Sequence, residues 1–333
     1  MTAISSAPSP ATPAGLGLWR TAQLLGVVAT AILLAGLVTQ PDLALDILWN
    51  VLIPLVPASL LISPAIWRNV CPLATLNLLT NRSSVSRTLT SGLLPGAGAI
   101  GIVLLVIMVP ARRFLFNTDG LALAITIAAV AVLAMVLGGF FQLKAGFCNA
   151  ICPVLPVERL YGQYPLMRVN NPRCVPCTMC TTKGCIDLNP SKSIAQTFGS
   201  ARRSHAWLLT GFGVFAAAFP GFVVGYYTTQ DGPLATVGSV YLHIAVWALA
   251  SYLATVLLVW LFRASAVRAM VVLAAAAAGL YYWFAADTVT TAFEIQGAPT
   301  TVIRVVMLAL VAVWLWRAVQ RVTQTNSHPV AHA

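Results

Sequence analysis

Eight stretches of this chain are apolar for about the length a helix needs to cross a bilayer, and no other feature limits the fold as much. They lie at about residues 21–39, 43–63, 93–110, 120–141, 206–229, 237–262, 269–286 and 300–316. A helix rises about 1.5 Å per residue, so roughly 20 apolar residues cover the hydrocarbon. Inside it the backbone finds no water, so such a run satisfies its N–H and C=O groups as a helix. The expected fold is all-α, a polytopic membrane helix bundle of about eight transmembrane helices with membrane lipid around it. Composition agrees: 59% of the 333 residues are hydrophobic and 8% charged, with a mean hydropathy of +0.86. Soluble domains carry roughly 25% charged residues. A soluble enzyme, a secreted disulfide scaffold and a disordered chain are therefore excluded.

The connections alternate in charge. Those on the side of the N-terminus hold 16 of the 19 Lys and Arg residues, leaving Arg112, Arg113 and Arg304 opposite. The bias of basic loops places the crowded side in the cytoplasm and the protein in the cytoplasmic (inner) membrane, with both termini inside. The net charge of +11 is then a topology signal, and no nucleic-acid partner is implied. Residues 1–20, rich in Pro, Ala and Ser, read as a disordered tail before a retained first span. Four-span regions follow at 21–141 and 206–316, with a polar tail at 317–333. Two long connections face the cytoplasm, a Cys-Pro loop at 64–92 and a basic loop at 142–205.

All seven cysteines lie in those two connections: Cys71, Cys148, Cys152, Cys174, Cys177, Cys180 and Cys185. Cytoplasmic thiols stay reduced, so clustered ones point to metal or redox chemistry rather than disulfides. Cys174-Val-Pro-Cys177-Thr-Met-Cys180-Thr-Thr-Lys-Gly-Cys185 is a C-x2-C-x2-C-x4-C run. Two-residue gaps let three thiolates converge on one iron–sulfur cubane. Zinc sites typically use two separated pairs, so the spacing favours iron–sulfur.

In bacterial ferredoxins the last cysteine of such a run serves another cluster. The fourth ligand of the Cys174/Cys177/Cys180 set is then remote, and Cys152-Pro153 and Cys71-Pro72 are the candidates. Their surroundings resemble each other. Trp67-Arg-Asn-Val-Cys71-Pro-Leu-Ala-Thr-Leu-Asn-Leu-Leu aligns with Cys148-Asn-Ala-Ile-Cys152-Pro-Val-Leu-Pro-Val-Glu-Arg-Leu, each just past the inner end of a span. This suggests a duplicated helical hairpin, with Trp67 in the first copy where the second has Cys148. Proline alone explains why a helix stops there, but not why a thiol precedes it.

On Cys148-x3-Cys152-Pro153 and the 174–185 run, residues 45–190 resemble the membrane-bound polyferredoxins typified by the quinol dehydrogenase membrane subunits of periplasmic nitrate reduction and the regulators of nitrous-oxide respiration. The resemblance implies [4Fe–4S] clusters, a ferredoxin-like cytoplasmic loop and electron transfer between a quinone pool and a soluble or membrane redox protein. The chain departs from that pattern in its first C-x3-C-P site, in having one ferredoxin run where the family usually has two, and in its last four spans.

Seven thiolates are one short of two all-cysteine cubanes. Cys174, Cys177, Cys180 and Cys152 would complete one [4Fe–4S] site. Cys185, Cys148 and Cys71 would leave a [3Fe–4S] cluster or a cubane with a non-cysteine ligand, and a single cluster with three unligated cysteines is the simpler alternative. Elsewhere, His205 and His243 sit at different depths, against a bis-histidine haem. Asp42, Asp46 and Asn50 recur on one helix face in the outer half of the second span, a candidate proton exit or quinone contact. Pro54, Pro57 and Pro220-Gly221 read as packing features. No phosphate loop, dinucleotide fingerprint or C-x-x-C-H haem attachment is present. The expectation is a membrane iron–sulfur electron-transfer protein of the quinol dehydrogenase type. The alternatives are a redox-sensing or metal-reducing assembly factor and a scaffold or permease with structural zinc.

Overall fold

The computed structural model describes residues 13–81, 87, 93–167, 198, 205–293 and 298–327. Among them, twelve α-helices and no strand occur. In chain order they are α1 (Pro13–Thr39), α2 (Pro41–Ile47), α3 (Ile53–Ile62), α4 (Pro64–Val70), α5 (Pro72–Leu79), α6 (Leu94–Ala111), α7 (Gly120–Phe140), α8 (Leu155–Tyr161), α9 (Gly211–Thr228), α10 (Val237–Phe262), α11 (Ala266–Ala292) and α12 (Ala298–Ser327). Eight segments among the described residues are long and apolar enough to span a membrane, from Gly17–Thr39 to Pro299–Thr323. The chain is an all-α multi-pass bundle.

The spans depart from the sequence reading where the backbone changes its winding. Single π turns at Leu48–Leu52 and Arg112–Phe116 close i→i+5 bonds from the Ile53 N–H to the Leu48 carbonyl and from the Asn117 N–H to the Arg112 carbonyl. The first lies in the second span, just before Pro54, which cannot donate to the preceding turn. Tyr282 Oη donates to the Pro54 carbonyl at 2.9 Å, so a neighbouring helix bonds the backbone where the winding changes. The second π turn carries the third span on to Phe116, beyond the expected end near 110. The fifth span starts at Gly211 instead of 206, because His205–Leu209 is a short 3-10 turn. Thr210 then caps α9, its hydroxyl accepting from the Gly213 N–H at 3.1 Å.

Helices α9 and α11 form the centre, with 67% and 61% of their span windows buried, against 6% for α1. Pro220-Gly221 serves this packing, as expected from the sequence. A Cβ on Gly221 would overlap the Trp247 carbonyl and lie 2.6 Å from Ser251 Cβ, so only glycine lets α9 and α10 approach this closely. One hydrophobic core joins α9 and α11 to Leu60 and Leu61 of α3, Leu160 and Tyr161 of α8, and Trp314 of α12. The two four-span regions are therefore welded by a shared core.

At the end away from the cysteines, the three basic residues that break the charge pattern are all engaged. Arg113 pairs with Asp231 at 2.8 Å and lies over the Tyr226 ring. Arg112 donates to Asn117 Oδ1 at 2.7 Å and covers Trp49. Arg304 pairs with Asp287 and covers Trp283. They tie neighbouring span ends together at the depth where aromatic rings and charges coexist.

Candidate functional site

Cys71 and Cys152 each stand between a helical segment and a proline, and their backbones match. Cys71 has φ −52°, ψ 122° and Cys152 has φ −57°, ψ 125°. A residue before proline is pushed out of the helical region by clash with the proline ring. The chain therefore kinks identically at both sites, and a short helix follows each, α5 after Cys71 and α8 after Cys152. Cys148 lies four residues earlier in the second copy, on the π turn Phe147–Ile151.

The surroundings repeat as well. Gly26 of α1 lets the first span approach the carbonyl of Val70, the residue before Cys71. Gly101 of α6 does the same for the third span, where a Cβ would lie 2.9 Å from the Cys152 carbonyl oxygen and 3.5 Å from Ile151. The copies also exchange partners. α5 bonds to the fourth span, with Asn77 Nδ2 donating to the Ala134 carbonyl at 2.7 Å and Thr80 Oγ1 to that of Met135 at 2.6 Å. α8 packs on α3 of the second span.

This reciprocal packing brings Cys71, Cys148 and Cys152 into one apolar cluster. Its other members are Ala74, Ala134, Phe147 and Leu155, with Val130, Leu137 and Val154 packed around them. Cys148 and Cys152 are buried and Cys71 is half-buried. Burial pushes the Cys148 thiol up to about 12, and it raises the thiols of Cys152 and Cys71 as well. The three also raise one another: Cys71 acts on Cys148, and both act on Cys152. Without a cation among them the thiols are held protonated. A metal centre binding there would displace those protons.

Beside these residues runs a buried polar network that the sequence reading did not single out. Arg68 and Glu158 are 2% and 3% exposed and pair at 2.5 Å. Arg68 Nη2 also donates to Asn149 Oδ1 at 2.6 Å. Lys144, buried too, donates from Nζ to the Arg68 carbonyl at 2.9 Å. The chain reaches it through Leu143, whose φ of 48° lies in the left-handed region; such a bend in a branched residue is costly and holds only where its surroundings enforce it. Arg68 and Lys144 both pull the Cys148 thiol down against the burial that raises it. A signal for this network lay in the aligned copies. Arg68 and Asn149 both stand three residues before a Cys-Pro, and Glu158 stands where the first copy has Asn77.

Cys174, Cys177, Cys180 and Cys185 lie outside the described residues. Of the other candidates, His243 Nε2 lies 2.9 Å from Thr228 Oγ1, an interhelical bond joining α10 to α9. Asp46 accepts from Asn50 Nδ2 at 3.3 Å, which gives the expected helix face one internal bond. Asp46 is exposed and Asn50 buried.

Among the described residues, no three of His, Cys, Asp and Glu come together closely enough to hold a single metal ion. Four thiolates on one zinc at about 2.3 Å would stand roughly 3.8 Å apart. A polynuclear cluster binds each thiolate to a different iron and so needs them further apart. Cys71, Cys148 and Cys152 belong to one apolar cluster, near the buried side chains of Arg68 and Lys144. No family model, curated protein or solved structure matches this chain.

Proposed function

We propose that this protein is a membrane-anchored iron–sulfur electron carrier, relaying electrons between a quinone pool and a redox partner through one or two clusters at its cysteine-bearing end. The observation that carries the reading is the convergence of Cys71 with Cys148 and Cys152. Two matching Cys-Pro kinks, far apart in sequence, bring Cys71 and Cys152 into one apolar cluster with Cys148, beside buried cations. Proline caps alone need no thiols, and a core alone needs no buried Arg and Lys.

A bound cluster supplies the one-electron chemistry. The chain supplies its seat. Phe147, Leu155 and Ala134 keep water from the sulfurs, which sets how strongly nearby charges act. The Cys174–Cys185 run furnishes further thiolates. The excess of basic loops supports a cytoplasmic orientation for this end, and the basic residues of the 142–205 connection suit an acidic soluble carrier. Asp46, exposed in the outer half of the second span, is the proposed proton exit for quinol oxidation.

Anaerobic purification with iron, sulfide and zinc analysis tests the reading. A brown protein with about four irons per chain supports one cluster and about eight supports two. Cys177→Ala and Cys152→Ala should each lose absorbance, and quinol should bleach the wild type. A colourless protein carrying zinc refutes the reading.

A further inference from the structure

The arginines at the two ends of the bundle are held differently. At the end away from the cysteines, Arg113 pairs with Asp231, Arg304 pairs with Asp287, and Arg112 bonds to Asn117. At the turn from α10 to α11, Arg263 and Arg268 are exposed, and their side chains make no hydrogen bond or ion pair among the described residues. No Asp or Glu occurs between Asp231 and Asp287, so neither helix carries a carboxylate near this turn. Gln163 Nε2, just past α8, donates to the Met270 carbonyl at 3.1 Å. That bond sets the turn at the end of the bundle where the chain passes Cys152.

Both arginines stand where the local backbone favours another residue. Arg263 ends α10 in the left-handed region, at φ 50° and ψ 38°, the position glycine commonly takes after a helix because it has no Cβ to clash. Arg268 is the third residue of α11, whose N-cap is Ser265. A cation in the first turn meets the positive end of the helix dipole, where a carboxylate is favoured. Neither choice helps the chain fold on its own. Local rules broken with no compensating partner inside the chain point to a partner outside it.

The surroundings indicate that partner's chemistry. The last turn of α10 exposes Trp260, Leu261 and Phe262 at 69%, 61% and 72%, so the two cations border an apolar face that a bilayer covers. Indole rings at a span end sit at headgroup depth, where the phosphodiester of a lipid offers negative charge and its acyl chains lie against the rings. We infer that the α10–α11 turn is a binding site for an anionic phospholipid, with Arg263 and Arg268 holding the headgroup and Trp260 and Phe262 seating the acyl chains. A zwitterionic lipid brings its own cation beside the phosphate and so gains less from the arginines. Each basic group beside an anionic lipid surface favours it by about fivefold. The site is independent of the iron–sulfur reading.

The test is native mass spectrometry of the full chain released from nanodiscs of equal parts phosphatidylglycerol and phosphatidylcholine, with thermal unfolding in detergent alongside. Wild type, Arg263→Gly, Arg268→Gln, the double variant and Arg20→Gln are compared. The wild type should retain phosphatidylglycerol in preference to phosphatidylcholine. Each single change at the turn should cut that preference about fivefold, and the double variant about twenty-fivefold. Arg263→Gly removes the charge and the left-handed strain together, so it should unfold no earlier than wild type while losing lipid, which separates binding from folding. Arg20→Gln removes another exposed cation and should keep the preference. No preference in the wild type, an unchanged preference in the double variant, or an equal loss in Arg20→Gln overturns the site.

Discussion

Replacing Gly138 by alanine should disturb the packing of the cysteines from a distance, while the same change at Gly139 should not. A Cβ on Gly138 would lie 2.6 Å from Thr80 Oγ1 and 2.9 Å from the Asn77 carbonyl carbon, and would overlap that carbonyl's oxygen. Ordinary contacts lie at about 3.5–4.0 Å, so α5 must retreat by roughly 1 Å. Overpacking of this kind costs about 1–3 kcal/mol. The retreat also strains the bonds from Asn77, Thr80 and Asn81 to the backbone of α7 and Phe141. Each contributes about 0.5–1.5 kcal/mol, and losing two brings the total to about 2–6 kcal/mol. Gly139 has nothing within 4 Å of its Cβ position, and alanine there should stabilise the helix by about 0.5–1 kcal/mol. Since Cys71 caps α5, the retreat also carries its thiol away from Cys148 and Cys152. Thermal unfolding in detergent with iron analysis checks the pair. A Gly138→Ala protein within about 0.5 kcal/mol of Gly139→Ala, with its iron retained, would refute the packing argument.

Three further outcomes follow from the site and its surroundings. In metal-free protein the raised Cys148 thiol makes stability depend on alkaline pH. Its folded value, about 12, lies above the ordinary 9.0, so the contribution is complete below about pH 9 and is lost as pH rises toward 12; pH-dependent unfolding of Cys148→Ser against wild type reads the difference. Asp46→Asn should slow quinol-linked turnover without altering the cluster spectrum, and unchanged turnover removes Asp46 from the proton path. His243→Phe should leave the visible spectrum unchanged and cost about 1 kcal/mol through the lost Thr228 bond, measurable by thermal unfolding; loss of a haem band would contradict its role as an interhelical contact.

What could be read in the sequence follows the physics of each signal. A span must be apolar over its whole length, so hydropathy alone finds all eight, to within a few residues at most of their ends. The π turns are not legible, because shifting a bond from i→i+4 to i→i+5 changes no residue's polarity, and only Pro54 hinted at one of them. Cys-Pro was readable as a kink because proline acts on its immediate neighbour. That the two kinks face each other was not, since it depends on α5 and α8 each packing on the other copy's second span. Arg68 and Lys144 first counted only as basic loop residues, although both are buried. Charge position along the chain reports topology; burial comes from tertiary packing, and only the aligned copies placed Arg68 opposite Asn149.

The last four spans, which carry no motif of their own, acquire a role from where the cysteine-rich connection leaves and rejoins the bundle. On departure, the N–H groups of Leu166 and Met167 bond to the Leu61 and Ile62 carbonyls. Arg317 and Arg321 of α12 reach the carbonyls of Leu166 and Pro165 at 3.2 and 2.9 Å. On return, Phe198 packs against the rings of Trp207 and Phe212, with centroids 5.9 and 5.8 Å away. The departing end is thus fastened by both α3 and α12, and Phe198 on the returning side packs on rings at the start of the C-terminal half. Cys174 follows Met167 by seven residues, so an extended chain carries it at most roughly 25 Å from that anchor. Arg317 and Arg321, which the charge pattern counts only toward topology, therefore also hold the backbone where the cysteine-rich connection leaves the bundle.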